Sequence, residues 1–441
     1  MFAVFAAGCR SDDKPAASSS SKAAGGTSDS SDATSSAASG SGVLIDSATT
    51  DLCADYQPTG GITGDTIKIG TVRPTIGAFS VYDGIATGID KYVASVNAAG
   101  GIKAGDGKTY KLELVKGDDG YDPAKTPGEV KRLVEEENVF ALVGEVGTEH
   151  NLAVRDYLNE KCVPSVAIAS GAPEFGDVTT YPWQMSGIPS YATESRRFAE
   201  FVKEKGGKKV AVVYQNDLVG KAYLNSVKKG AEEFGYEVVG SESFDPLGGG
   251  TPEAQVTKLA ATKADVFFVG LSGIPCPQAV KSKPADWTPM TWVSITCMGK
   301  LALTIAGPAQ EGIYGAQVTY DPGAPSDAAV PAVQKLIADA GAVGASQGDV
   351  EAGVLAIGWG LAAEFGKALE LTKTVDRAGI VNAMNSFSNV EGISLQRYAA
   401  STAPGDAWIL EELRVVQRTN GDWTEVSPAI DYSGKSDSLA P

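Results

Sequence analysis

The chain has 441 residues, 43% of them hydrophobic, and a formal net charge of −17. That length fills more than one hydrophobic core, so two lobes are expected, while the acidic surplus excludes a nucleic-acid surface, which needs clustered lysine and arginine. His150 is the only histidine, which excludes multi-histidine metal sites and leaves one location for a histidine-assisted nucleophile. Five cysteines, at 9, 53, 162, 276 and 297, show no CxxC spacing, and neither GxGxxG nor GxxxxGK[ST] occurs. No metal and no cofactor are therefore expected.

In chain order, residues 1–9 (MFAVFAAGC) form a short apolar run that ends in small residues before Cys9, and this looks like a bacterial lipobox. Small residues let a peptidase reach the bond, and the Cys9 thiol would carry diacylglycerol. No Lys or Arg precedes the run and Ala6 stands where leucine is usual; a start codon placed too far downstream would explain the missing basic segment. The alternative is an incidental cysteine in an irregular N-terminus. Residues 10–50 are rich in Ser, Ala and Gly and are expected to be a disordered tether. Nothing after residue 10 approaches the roughly 20 apolar residues of a spanning helix, so membrane contact is expected through the lipid alone.

From Thr66 the pattern alternates. TIKIGTV is strand-like, and Ile85, Ile89, Val93 and Val96 recur at helical spacing up to the turn Ala99-Gly100-Gly101. KLELVKGDD follows as a strand, then a helix marked by Val130, Leu133 and Val134, which Pro127-Gly128 is expected to delay or break, then the buried strand VFALVG at 139–144. A helix near 149–159, the strand VPSVAIA at 163–169 and the bridging YPWQMSGIPSY complete this run. The βα alternation restarts with KKVAVVYQ, a helix at 219–234, YEVVGSESF, a helix near 252–262 and ADVFFVG. GIYGAQVTY at 312–320 precedes helices near 326–340, 351–371 and 375–388, which cover the first lobe, before AWILEELRVVQ returns to the second. Repeated βα units predict parallel sheets with right-handed crossovers. The expected fold is α/β: two Rossmann-like lobes joined by a three-crossing hinge near 184–190, 310–316 and 393–400. The first lobe is 64–186 plus 315–394, the second 187–314 plus 395–426, and 427–441 is a flexible tail.

Several segments resemble the type I periplasmic binding proteins, in particular the leucine/isoleucine/valine-binding group. The carriers are IKIGTVRPTIG, ASVNAAGGI, DDGYDPAKT, FALVGEVGTEHNLAVRDYLNEKCVPSVAIASGAPEF, YPWQMSGIPSYATE and VAVVYQNDLVGKAYLNSVKKGAEEFG, in that order over roughly 64–426. The resemblance implies a cleft closed by hinge rotation around a ligand, and open α/β sheets bind ligands at the same strand ends. It implies that Gly147 and Thr148, before a helix N-terminus, and Ser170 and Gly171 hold a ligand carboxylate through hydroxyls and backbone groups. The plainer alternatives are a helix cap at Thr148, a tight turn at Ser170-Gly171 and a packing role for His150. From the second lobe it implies contacts at Val219, Ser272 and Thr296, although the acid that would hold an α-ammonium near Thr296 is absent. Tyr82 is either an aromatic wall or a core residue.

With Cys9 lipidated, four cysteines remain for two disulfides in an oxidising exterior. Cys276 follows one strand of the second lobe and Cys297 its neighbour, so Cys276 is expected to pair with Cys297 and Cys53 with Cys162. The function expected is that of a solute-binding lipoprotein of an ABC importer on the outer face of a bacterial membrane. It would act as a monomer, deliver a small amino-acid-like or carboxylate-bearing solute to permease subunits, and perform no catalysis. A ligand-binding sensor domain of the same fold is the second class, and an enzyme the third.

Overall fold

The run of Ala141, Leu142 and Val143 shows how the sheets are built. Ala141 and Val143 enter one buried cluster and Leu142 another, so alternate residues of one strand are buried on opposite faces. In the second sheet Val210 and Val212 likewise face one core while Ala211 and Val213 face another. Strands apolar on both faces need helices on both sides, as parallel βα units provide. The structure is a computed structural model that describes residues 44–393, 395–403, 405–436, 439 and 440. Cys9 and residues 10–43 of the expected tether lie outside the described residues.

The first sheet contains β1 (Ile62–Thr63), β2 (Thr66–Arg73), β3 (Ile102–Lys103), β4 (Thr109–Asp118), β5 (Ala141–Val143), β6 (Ser165–Ile168) and β7 (Gln184–Ser186). Its order is β3-β4-β2-β5-β6-β7, with β1 on β2, and it is parallel apart from the β1/β2 and β3/β4 pairs. The second contains β8 (Lys209–Gln215), β9 (Glu237–Phe244), β10 (Val266–Gly270), β11 (Met290–Val293), β12 (Tyr314–Gln317), β13 (Glu412–Thr419) and β14 (Asp422–Asp431). Its order is β14-β13-β12-β11-β10-β8-β9, parallel from β9 to β12 and antiparallel at β13 and β14. The fold is therefore α/β with two lobes.

The Val354–Leu371 helix packs on the first sheet through Leu361 and Phe365. It meets the Asp83–Ala98 helix backbone to backbone: a Cβ on Gly88 would lie 2.1 Å from the Leu355 carbonyl, and one on Gly358 1.9 Å from that of Ile85. Two small residues at one crossing fix both helices in register. Disulfides join Cys53 to Cys162 and Cys276 to Cys297, with Cα separations of 5.6 and 6.1 Å.

Several boundaries differ from the sequence reading. Pro127 lies in the first turn of the Thr126–Lys131 helix, where a missing N–H costs nothing, so it starts the helix instead of breaking it. β12 pairs with β11 and β13, so the second crossing follows Gln317 rather than preceding it. The crossing strands then pair with each other, with a Thr319–Gln396 bridge and Arg397 N–H donating to the Val318 carbonyl. Residues 427–431 belong to β14, and buried Tyr432 and Ser436 bond to Glu200 and Glu411. Leu44 to Thr50 also carry structure: Ile45 is buried and exchanges two backbone hydrogen bonds with the Asn382 amide.

Candidate functional site

The ends of β5, β6, β8, β10 and β11 converge on one cleft, joined by the crossing at Gly187–Pro189 and one face of the Val354–Leu371 helix. Its wall is mostly apolar, with Ile85, Val146, Val219, Ile295, Met298 and Leu361, and four tyrosines, Tyr82, Tyr121, Tyr191 and Tyr320. Among the described residues that line it there is no lysine, arginine or histidine.

The two lobes touch across this cleft. Tyr82 Oη donates to the Thr296 carbonyl at 3.0 Å and accepts from Gly273 N–H at 2.8 Å. Ile274 N–H donates to the Ala78 carbonyl at 3.3 Å, and Leu218 N–H donates to Glu149 Oε1 at 2.6 Å. Burial pushes the Tyr82 phenol up to about 12, so it stays a neutral donor.

In the second lobe, Ser272 Oγ lies 3.1 Å from Thr296 Oγ1, which is also 2.9 Å from Ser294 Oγ. The loop that carries Thr296 hangs on Glu194, a buried carboxyl that accepts from Ile295 N–H at 2.8 Å, Tyr223 Oη at 2.7 Å and Trp292 Nε1 at 3.3 Å. Burial outweighs these bonds and pushes Glu194 up to about 7.

On the first lobe Gly147 lines the cleft at φ 104°, where a Cβ would lie 2.2 Å from His150 Nδ1. Gly147 is also the N-cap of the Thr148–Lys161 helix, so the Thr148 hydroxyl does not cap it. Instead Thr148 Oγ1 lies 2.7 Å from Ser170 Oγ, and both side chains are fully buried. Gly171 is closed off by the Pro189 carbonyl and the Tyr191 ring, and its carbonyl accepts from Tyr191 N–H at 2.7 Å. Burial depresses the His150 imidazole, against the pull of Asp119.

Of the residues expected at the site, the structure brings Tyr82, Gly147, Val219, Ser272 and Thr296 into the wall. Thr148, Ser170 and Gly171 are not among the lining residues; they stand behind Gly147, Ala169 and Tyr191. The sequence reading missed Tyr121, Tyr191, Ile295, Met298 and Glu364. Tyr191 ends the YPWQMSGIPSY run and Glu364 is the one acid among apolar neighbours in GLAAEFG, which were the available signals.

A family model described as periplasmic binding protein matches residues 66–417. The chain belongs to the periplasmic binding protein family. This periplasmic binding protein is 24% identical over 213 residues to the Leu/Ile/Val-binding protein of Escherichia coli strain K12, covering 47% of its own length and 54% of the relative. It is 28% identical over 208 residues to the Leu/Ile/Val-binding protein homolog 3 of Brucella melitensis, covering 46% and 54%. It thus spans about half the length of the curated relatives it matches. Its fold is that of a Thermus thermophilus branched chain amino acid ABC transporter protein solved with bound valine (TM-score 0.75, 16% identity, 86% of this chain and 99% of that one). A solute binding protein of an R. palustris ABC transporter, solved with 4-hydroxybenzoate, aligns with TM-score 0.69 at 22% identity over 83% and 97%. The relatives are named as binding proteins, and the family places the chain outside the cytoplasm. Among the described residues no helix is long and apolar enough to cross a membrane.

Proposed function

We propose that the chain is the solute receptor of an ABC importer, held to the outer face of a bacterial membrane by lipid on Cys9. It acts as a monomer that captures a small, largely apolar solute between its lobes and passes it unchanged to permease subunits. The observation that carries this reading is the apolar, tyrosine-walled cleft bridged by Tyr82 from one lobe to Gly273 and Thr296 of the other. The solute would add apolar contact to both lobes at once, so its burial favours the closed arrangement over the open one. Tyr82, Gly147, Val219, Ser272 and Thr296 are the proposed contacts. Thr148, Ser170 and Gly171 support the wall from behind and reach a solute carboxylate only where the Tyr191 side chain gives way. The pairing of Cys53 with Cys162 and Cys276 with Cys297 leaves Cys9 outside both disulfides, in keeping with a lipid on its thiol.

The test is a thermal-shift panel of amino acids, aromatic acids, amines, amides and urea, with each stabilising solute followed by NMR. At a concentration one hundred times its Kd, a bound solute adds about 2.7 kcal/mol to stability. The expected result is stabilisation by at least one solute whose spectrum is unchanged after prolonged incubation. Turnover of the solute, or no stabilisation by any member, would contradict the receptor reading.

A further inference from the structure

Glu364 lies in the Val354–Leu371 helix and is 3% exposed. Its carboxyl belongs to the cleft wall beside Gly187, Ile188 and Leu361. Oε2 has no hydrogen-bond partner, and among the described residues no ion pair or hydrogen bond reaches either oxygen. Among the described residues the other buried carboxyls each have at least one partner, although Glu145 Oε1 is itself unpaired. Glu145 accepts from Ser165, Glu194 from Tyr223, Asp119 from Thr126, Asp327 from Arg397 and Glu411 from Ser436. The space for Glu364 depends on Gly187, where a Cβ would lie 2.7 Å from Oε2. The helix is held by its glycine contact with the Asp83–Ala98 helix, so the carboxyl is presented from a rigid element.

Leaving a buried acid unsatisfied is costly, and an apolar residue would fill the same helix face without that cost. We propose that Glu364 is a solute-contacting specificity residue whose carboxyl receives an N–H donor of the solute, from an amine or a carboxamide, at the hinge end of the cleft. This rests on the receptor reading above. The absence of any basic side chain from the described wall supports it, since an anionic head would find no positive partner there while an N–H finds an unused acceptor. A neutral Glu364 offers one O–H and one carbonyl oxygen, which match the carbonyl and N–H of a carboxamide; an amine would instead take its proton and pair with the carboxylate. Burial drives the carboxyl well above the usual acid range, so it meets the solute in the neutral form.

The test is calorimetric titration with two matched series. One is 3-methylbutylamine, L-leucine, 4-methylpentanamide and 4-methylpentanoate; the other is benzylamine, benzamide and benzoate. Wild type is compared with Glu364→Gln and Glu364→Met, and urea unfolding confirms that each variant is folded. Wild type is expected to bind an N–H-bearing member at least tenfold more tightly than the carboxylate of its series, and Glu364→Met to lose that preference. Glu364→Gln separates the sources, because it keeps amide binding and loses amine binding. A carboxylate that binds as tightly as its N–H counterparts in wild type would overturn the proposal whether or not the variants fold, as would no binding by any N–H probe or a folded Glu364→Met that keeps the preference. Binding of a donor-free solute in the wider panel, with no N–H probe bound, would leave the receptor reading standing while this assignment falls.

Discussion

Raising the pH from 5 to 8 should lower the unfolding free energy by several kcal/mol. Burial pushes Glu145 up to about 8 and Glu194 up to about 7, with Glu411 at about 7 and Asp217 at about 6. A folded-state pKa above the unfolded one means that the native chain binds more protons across this window, so stability is present at low pH and is lost as pH rises through the folded pKa. For the fully buried Glu145 and Glu194 the loss is on the order of 2–4 kcal/mol each. His150, depressed by burial, works the other way, but it is one group against these four and Glu364, whose carboxyl burial also drives well above the usual acid range. Below pH 4 the trend reverses, because Asp118 and Asp431 are held below the usual carboxylate range and lose their hydrogen bonds when protonated. Urea unfolding at pH 5, 6.5 and 8 checks this. A transition midpoint that is flat or rises with pH would show that these carboxyls reach water.

Glu194→Ala should cost roughly 3–5 kcal/mol and weaken solute binding with it. Tyr223 Oη, Trp292 Nε1 and Ile295 N–H all donate to this carboxyl, and alanine leaves three buried donors without an acceptor. Ile295 and Thr296 line the cleft, so their loop loses its support at the place where the solute binds. Glu194→Gln should be milder, because one amide oxygen still accepts while the NH2 finds only donors. Urea unfolding with paired calorimetry reads both effects. A loss under 1 kcal/mol with unchanged binding would mean that the Ile295–Cys297 turn holds itself.

The doubly buried strands were legible because period and length agree: KKVAVVYQ and ADVFFVG carry apolar runs without polar alternation and are bounded by turns. The Cys276–Cys297 disulfide was legible for a related reason, since cysteines after neighbouring parallel strands share one rim, and Cys53–Cys162 was the pair that remained. The crossings were harder to place. β12 begins at Tyr314, but its pairing with β11 and with β13, the latter nearly 100 residues later in the chain, is what assigns it to the second sheet. At the site, strand-end logic found Gly147, Val219, Ser272 and Thr296 because loop position determines them. It placed Thr148 and Ser170 on the surface of the cleft because nothing local shows that Tyr191 covers them. Glu364 escaped because it comes from a covering helix, and one acid in an apolar run does not show which way it points.

The most direct test of the central claim is small-angle scattering of the full chain with and without a saturating solute from the thermal-shift panel. Contacts from Tyr82 to Thr296 and from Glu149 to Leu218 bridge the lobes, and under the proposed function they belong to the closed arrangement. The solute is expected to lower the radius of gyration and bring the profile of the folded region to the one calculated from this structure, while the empty protein is more open. An identical radius of gyration in both states, at a solute concentration shown by calorimetry to saturate, would contradict a closing receptor.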